Sequence, residues 1–383
     1  MANPMSSVKR QKLSNNNLKQ QPLLPGLPDH VAQLCLSHLH PSLLYSVCLS
    51  WRRLIYSPSF PPFLSLYALF SSSSPNPHPI HFFSFDPMSS TWEPLPPPPP
   101  DPPLRLLLRH PSFLSRNFPV QSISVSGNLV LLAATTHDFF PAFPRPLIFN
   151  PVSRSWSFGP PLAAPRRWCA AGTSNGVVYV ASGIGSHFSS DVARSVERWV
   201  LQKTSNKKKN HIDSGWKWEK IRGLKDGRFS RDAIDAVGWR GKLCMVNVKG
   251  DAAKEGVVYD IKSDSWEKMP EGMIAGWKGP VAAMDEETMY AVDEVKGALR
   301  KYDEEEDKWV EIMESESLKG AQQIAAGGGR VCAVTGVGRI LAIDVTAAPA
   351  RVWFVESPSG LEAVAVHILP RMGRPVPDFG IRP

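Results

Sequence analysis

Few residue sets in this sequence could do chemistry directly. Two histidine pairs, His38 with His40 and His78 with His81, have spacings at which two side chains can share a metal ion. Both pairs lie near predicted turns, and we interpret the spacing as chance. The run Gly183–His187 resembles a phosphate-binding glycine loop but lacks the Lys-Ser/Thr ending. No catalytic residue, metal site or cofactor is therefore predicted.

A second set of side chains points to binding. Arg and Trp are enriched among the residues that dominate protein interfaces, and several stand in segments that lead into short apolar strands. A basic and aromatic rim of this kind could receive an acidic or phosphorylated segment through charge-assisted hydrogen bonds. The alternative is a set of solvated loops whose arginines pair with neighbouring acids. The predicted target-binding residues are Arg167, Trp168, Arg231, Trp277 and Lys278, and the same segments also contain Arg166, Asp232, Gln322 and Gln323.

A tryptophan repeat indicates which elements must position these side chains. At four places an aromatic residue precedes Asp or Asn, and a Trp follows six residues after the acid or amide: Phe85-Asp86 to Trp92, Phe149-Asn150 to Trp156, Tyr259-Asp260 to Trp266, and Tyr302-Asp303 to Trp309. Two degenerate copies lead to Trp218 and Trp353. The repeat length is close to the kelch and WD-type periods once visible insertions are allowed for. The aromatic rings are predicted to pack between units, and the Asp to cap its own turn.

Hairpins recur in register with the tryptophans, as pairs of apolar strands joined by tight turns such as Gly127-Asn128. Each unit then has four strands: the hairpin, the strand that ends at the aromatic-Asp pair, and the strand that starts at the Trp. Six units predict a six-bladed β-propeller over residues 61–370. The first unit has no preceding inner strand, so we expect the C-terminal strand 361–369 to complete it and close the ring.

A helical segment precedes the repeat. Apolar residues between Val31 and Leu39, and again between Leu43 and Ile55, recur at spacings near three and four, which predicts two helices interrupted at Pro41. So few residues cannot bury both apolar faces alone. We therefore predict an exposed apolar face for another protein, with packing on the domain that follows as the alternative.

These helical residues resemble an F-box, in order and in spacing: Leu27-Pro28-Asp29, Leu36, Leu39, Pro41, Leu43-Leu44, Val47-Cys48, Trp51-Arg52 and Leu54-Ile55. Cys35-Leu36 stands where Ile-Leu is usual, and Leu49-Ser50 where a basic residue is common. The segment Asn150–Trp156 resembles a kelch repeat, so the whole chain is similar to the plant F-box/kelch-repeat family of the Skp-interacting-partner type. The resemblance implies that the helices bind the Skp adaptor of a cullin–RING ubiquitin ligase. The residues expected to do so are Leu27, Pro28, Val31, Leu36, Leu39, Leu43, Val47 and Trp51.

Composition sets limits on localisation and partners. The five cysteines are scattered, which is typical of reduced thiols inside a cell, and neither a secretory signal nor a membrane-length apolar run is present. We expect a cytoplasmic and/or nuclear protein without a membrane partner. The net charge of +8 lies in the first half of the chain, among prolines and aromatics and without a dense basic helix. This pattern disfavours nucleic acid as a partner.

The predicted fold class is α+β: a short helical F-box at 23–60 and an all-β, six-bladed kelch-type propeller at 61–370, between a disordered tail at 1–22 and a tail at 371–383. The predicted function is that of a non-catalytic substrate-recognition subunit of a Skp–cullin–F-box ubiquitin ligase. Its partners are the Skp-type adaptor, through it the cullin, and a target protein that the sequence does not identify. The alternatives are a kelch-type enzyme with a site at the propeller mouth and a kelch scaffold outside any ligase.

Overall fold

The computed structural model describes residues 22–57, 59–72, 80–99, 120–133, 144–185, 190–201, 217–225, 227–231, 233–248 and 254–373. The chain divides into two compact units, Met1–Pro61 and Pro62–Pro383. The tails predicted at 1–22 and 371–383 lie almost wholly outside the described residues.

Three helices form the first unit: α1 (Asp29–Ser37), α2 (Pro41–Val47) and α3 (Leu49–Ile55). Pro41 occupies the first turn of α2, where a missing N–H leaves no hydrogen bond unmade. The backbone N–H of Ser42 donates to Nδ1 of His40 at 3.3 Å and caps this helix. Local sequence thus places the start of α2 at the proline, as the interruption in the apolar pattern predicts.

The apolar spacing from Leu43 to Ile55 predicts one helix, and the structure has two. The break falls at Cys48, whose φ of −156° and ψ of 166° are extended. Arg52 holds this break, because its Nε donates to the carbonyl oxygen of Tyr45 and its guanidinium carbon lies 4.7 Å from the Tyr45 ring centre. The carbonyls at a helix end need such partners. Apolar periodicity does not show a break that depends on a side chain from the next helix.

Six four-stranded antiparallel sheets form the second unit and confirm the predicted propeller. Blade one holds β1 (Leu64–Ser72), β2 (Ile80–Asp86) and β3 (Thr91–Pro94); blade two holds β4 (Gln121–Val125), β5 (Asn128–Ala133), β6 (Leu147–Asn150) and β7 (Ser155–Phe158). Next come β8 (Arg166–Arg167), β9 (Ala170–Ser174), β10 (Val177–Ala181), β11 (Ile184–Gly185), β12 (Val196–Val200) and β13 (Glu219–Lys220). Of these, β9, β10, β12 and β13 form blade three, while β8 and β11 form a separate short pair.

The remaining blades follow the same order from the inner strand outwards. Blade four holds β14 (Ala233–Trp239), β15 (Lys242–Val248), β16 (Gly256–Asp260) and β17 (Ser265–Lys268); blade five holds β18 (Val281–Met284), β19 (Thr288–Asp293), β20 (Ala298–Asp303) and β21 (Lys308–Glu314). Blade six holds β22 (Gln323–Gly327), β23 (Arg330–Val334), β24 (Ile340–Asp344) and β25 (Arg351–Val355). The connections include helices α4 (Ser190–Arg194) and α5 (Glu271–Gly276) and the 3₁₀ turns Arg228–Arg231 and Glu316–Leu318.

The last strand, β26 (Leu361–Pro370), is the inner strand of blade one and pairs antiparallel with β1 over its whole length. The hydroxyl of Tyr67 on β1 adds a bond of 2.7 Å to the carbonyl oxygen of Pro370. The two ends of the propeller sequence therefore share one sheet, and the ring is closed.

The hydrophobic core consists of clusters that lie between neighbouring blades. One joins blades four and five through Trp239, Met289 and Tyr302; another joins blades six and one through Phe70 and Ile340. Every adjacent pair of blades contributes such a cluster. Because sheet faces pack on sheet faces, each blade depends on both neighbours for its apolar burial.

The repeated tryptophans link each blade to the one before it. In five blades the indole Nε1 donates to a backbone carbonyl that follows the outermost strand of the preceding blade: Trp92 to Glu356, Trp156 to Pro96, Trp218 to Pro160, Trp266 to Arg222 and Trp309 to Met273, at 2.6–3.1 Å. Each ring also packs on the aromatic residue paired with it across the strands, as in Tyr259–Trp266 at 5.1 Å between centroids. The predicted structural role of these rings is thus confirmed for five copies.

The sixth tryptophan does not occupy the repeat position. In the regular blades the Trp pairs with the aromatic residue before the Asp, as in Tyr302 with Trp309. In blade six the equivalent pair is Ile343 with Val352, and Trp353 lies one residue further, opposite Ala342. A shift of one residue turns a side chain to the other face of a sheet. Our assignment of Trp353 as the sixth copy is therefore wrong, because a longer turn moved the register.

The acid or amide of the repeat caps its turn, as predicted. Asp260 Oδ1 accepts from the backbone N–H of Ser263 at 2.8 Å, and Asn150 Oδ1 accepts from Ser153 at 2.9 Å. This backbone hydrogen bond holds the pKa of Asp260 below its usual range. A charged carboxylate that accepts a backbone bond fixes the turn that aligns the Trp strand.

Candidate partner-binding surfaces

The helices of the first unit leave an apolar surface exposed. Leu27, Leu39, Leu43 and Val47, all predicted to bind an adaptor, are exposed, as is Pro28. Leu34 and Leu49 are the most exposed large apolar side chains of this unit, at 65% and 67%. The structure therefore adds these two positions to the surface. Leu49 stands where a basic residue is common in the F-box pattern, which is the signal that could have identified it.

Three of the predicted adaptor-binding residues are less accessible. Leu36 is buried, together with Ala32, Leu44 and Ile55, so it belongs to the core. Val31 and Trp51 are half-buried. The Trp51 indole donates to the carbonyl oxygen of Leu23 at 2.8 Å, which fixes the segment before α1. Leu36 therefore supports the apolar surface from below and does not present its side chain.

The segment before blade three combines one buried and one accessible arginine. Arg166, predicted on the rim, is fully buried and forms an ion pair with Glu197 of β12. Its Nη1 also donates to the Ser195 hydroxyl at 2.6 Å. Arg166 is thus a core residue, and the predicted rim does not include it.

Arg167 remains the accessible member of this pair. Its guanidinium carbon lies 4.4 Å from the ring centre of the nearly buried Trp168, in cation–π contact. Its Nε is buried without a hydrogen-bond acceptor, and no described carboxylate pairs with it. Burial lowers the pKa of Arg167. Trp168 has a φ of 52°, a left-handed conformation that a bulky residue rarely adopts and that is often found at binding sites.

The other predicted rim residues divide in the same way. Trp277 is completely buried, and its Nε1 donates to Asp235 Oδ2 at 3.1 Å, so its ring is not available to a target. Lys278 is half-exposed, and its Nζ lies 4.0 Å from Oδ2 of Asp293, a carboxylate that also pairs with Arg300 at 3.1 Å. The Arg231 side chain and all of Asp232 lie outside the described residues. Arg167 and Lys278 therefore carry the accessible positive charge of the predicted set.

The inner strands surround a central cavity of about 230 Å³. Gln121 uses its amide as a substitute peptide group: Oε1 accepts from the Cys169 N–H at 3.2 Å and Nε2 donates to the Cys169 carbonyl at 2.7 Å. Gln323 bridges to the N–H and carbonyl of Val366 in the same manner. These wall residues, including Gln323 of the predicted rim segments, thus link blade two to three and blade six to one.

His367 provides a third link across the channel wall. From β26 its Nε2 and Nδ1 lie 2.8 and 3.1 Å from the hydroxyls of Ser122 and Ser124 on β4, so it joins blade one to blade two. Burial lowers its pKa from 6.5 to about 4. Cys169 also lines the cavity, and burial raises the pKa of its thiol to about 11, which keeps it protonated and unreactive at neutral pH.

Two further searches bear on the kind of site. Within the described residues, no three His, Cys, Asp or Glu side chains lie close enough together to share a metal ion. None of the helices in that part of the chain has the length and apolarity needed to cross a bilayer.

The chain is similar to proteins from Arabidopsis thaliana. The F-box/kelch-repeat protein SKIP25 is 53% identical over 96% of this chain and 94% of its own length. The F-box protein AFR is 23% identical over 76% of this chain and 73% of its own length. No protein-family profile matches the chain. The similarity to SKIP25 extends over both the helical unit and the propeller.

Proposed function

The chain belongs to the F-box/kelch-repeat family, and on this premise we propose that it is the substrate-recognition subunit of a Skp–cullin–F-box ubiquitin ligase. The helical unit binds the Skp-type adaptor and, through it, the cullin. The propeller binds the target protein. The ubiquitin transfer itself belongs to other subunits, and this chain contributes by raising the local concentration of the target's lysines.

The observation that supports adaptor binding most directly is the apolar surface of the first unit. Ala32, Leu36, Leu44 and Ile55 form a small core, while four large apolar side chains of the unit are more than half exposed: Leu34, Leu43, Val47 and Leu49. So many exposed apolar side chains on so short a segment are typical of a docking face. Leu43 and Val47 match the F-box pattern identified in the sequence, and Leu34 and Leu49 extend the surface beyond it.

We expect the double substitution Leu43→Asp/Val47→Asp to weaken binding of a purified Skp-type adaptor at least 100-fold, because two carboxylates would be desolvated at the centre of an apolar interface. Biolayer interferometry with the full chain measures this effect. The matched control is Val295→Asp/Val337→Asp, two exposed valines of the propeller, at 79% and 70%, which should leave adaptor affinity unchanged.

Leu27→Ala/Pro28→Ala tests a second part of the predicted adaptor-binding set and should also lose adaptor binding. Unchanged affinity in both double variants, with unchanged circular dichroism, would contradict the ligase role. The chain would then act as a kelch scaffold outside any ligase.

Arg167 and Lys278 support the proposed target binding, because they place accessible positive charge beside the inner strands. We expect Arg167→Ala/Lys278→Ala to reduce recovery of an acidic or phosphorylated target at least tenfold, since charge-assisted hydrogen bonds would be lost. The measurement is quantitative mass spectrometry of partners trapped while degradation is inhibited. Adaptor recovery serves as the internal control, and equal recovery of every partner by variant and wild type would refute this assignment.

A further inference from the structure

The outermost strand of blade six differs from those of the other blades. In β25 three consecutive large apolar side chains are exposed: Val352, Trp353 and Phe354, with Trp353 at 44%. Four of the other outermost strands carry Glu, Lys or Pro, and β7 alternates its aromatics with serines. Charges and prolines on edge strands are the usual protection against unwanted strand pairing. The only charged residue of β25 is Arg351 at its start, and the outer edge of the strand pairs with no other strand of the described chain.

Trp353 is free to bind because it lies outside the tryptophan repeat. The indole N–H of each of the five regular tryptophans donates to a backbone carbonyl of the preceding blade. The Trp353 indole donates to no group among the described residues. The register shift turns its ring to the opposite face of the blade, where it stacks only loosely with Arg330, at 6.0 Å from ring centre to guanidinium carbon. Tryptophan is enriched at binding hot spots, and the Trp353 indole is large, partly exposed and without a hydrogen bond to the described chain.

Three arginines give this strand its charge. Arg330 pairs with Asp344 at 2.8 Å. Arg339 stacks on Phe354 at 4.1 Å, and Arg351 is exposed at the start of the strand. No described carboxylate forms an ion pair with Arg339 or Arg351. Arg339 and Arg351, unlike Arg330, therefore place positive charge beside the apolar strand that no described carboxylate neutralises.

We propose that the outer edge of β25 binds an extended, acidic segment of another protein, which adds to blade six as a fifth strand. Backbone groups of β25 supply the hydrogen bonds, Trp353 and Phe354 anchor alternate side chains, and Arg339 and Arg351 select for acids. Two copies of this chain would bring identical arginines together, which opposes self-pairing at this edge. The surface is separate from Arg167 and Lys278, and the proposal does not depend on ligase membership.

A displayed library of random dodecapeptides tests the proposal with the full chain. The informative peptides are those retained by wild type and lost by Trp353→Ala. We expect this set to be enriched in Asp and Glu, and a synthetic member to bind Trp353→Ala at least tenfold more weakly by fluorescence anisotropy. Arg351→Glu should weaken the same peptide, while Val295→Ala, at an exposed position of blade five, should not.

The idea fails if no peptide depends on Trp353, or if the dependent peptides carry no acidic excess. Sedimentation velocity without peptide supplies an independent check. A dimer that disappears on Trp353→Ala would show that a second copy occupies the edge, which overturns the proposed occupant. Adaptor affinity is unaffected in either case, so failure here is distinguishable from failure of the ligase proposal.

Discussion

Glu197→Ala should lower the free energy of unfolding by about 3–5 kcal/mol, because it leaves the buried guanidinium of Arg166 without its counter-ion. Both side chains are at most 2% exposed. The remaining partners of Arg166 are a serine hydroxyl and backbone carbonyls, which do not neutralise its charge. The pair joins the short β8 segment to blade three, so its loss loosens the segment that carries Arg167. Urea denaturation followed by tryptophan fluorescence measures the change.

Blade three contains a matched control for this substitution. Arg198 and Glu219 form an ion pair at 3.1 Å on neighbouring positions of the same sheet, and both are more than 40% exposed. Glu219→Ala should cost at most about 1 kcal/mol, because exposed pairs gain little over their solvated ions. Arg166→Met/Glu197→Leu, which removes both charges, should recover most of the loss. Equal effects of Glu197→Ala and Glu219→Ala would show that burial does not determine the strength of the pair.

His367 should make the propeller acid-sensitive. Its pKa is about 4 in the folded chain and 6.5 when solvated. Above pH 6.5 both states are neutral and His367 contributes no pH dependence. As the pH falls from 6.5 to 4, the unfolded chain gains a proton that the folded chain does not, so stability is lost. Each pKa unit corresponds to 1.36 kcal/mol, so the full loss is about 3 kcal/mol.

The variant His367→Gln isolates this effect, since a Gln amide can still bond to Ser122 and Ser124 but does not titrate. Unfolding free energies of both proteins are measured between pH 7 and pH 4. Carboxylates contribute to both curves and cancel in the difference. The stability advantage of wild type over the variant should shrink by about 3 kcal/mol over this range. A pH-independent difference would mean that His367 titrates with the same pKa in the folded and unfolded chains, and it would contradict the prediction.

Much of the architecture could be predicted because the constant offset from the acid or amide to the Trp shows how the last two strands of each blade are aligned. The fixed offset from Asp260 to Trp266 reflects a capped turn, and the same local chemistry recurs around the ring. An exposed apolar face of the helical unit was also predictable, because so short a segment cannot bury both of its apolar faces alone, although packing on the following domain was the alternative. The need for a closing strand followed from counting inner strands.

The errors arise where side chains from distant segments decide the outcome. Arg166 and Trp277 are residue types that are common at binding rims. In the fold, however, Arg166 pairs with Glu197 and Trp277 donates to Asp235, and no local sequence pattern reveals these buried partners. Trp353 follows a longer turn that shifts its pairing by one residue. Leu36 shares the helical spacing of its neighbours, and only packing separates it from the exposed residues.

The pairing of β26 with β1 also affects synthesis. Nearly three hundred residues separate the two strands, so at roughly 5–20 residues per second the ribosome needs 15–60 s to supply the partner of β1. Throughout this interval the first blade is incomplete while the helical residues have already emerged. A premature stop codon between residues 62 and 360 would leave a nascent product that keeps the helical unit but lacks the closing strand. Under the proposed adaptor role, such a product would occupy adaptor without a complete propeller, and these nonsense alleles should therefore interfere with the normal copy.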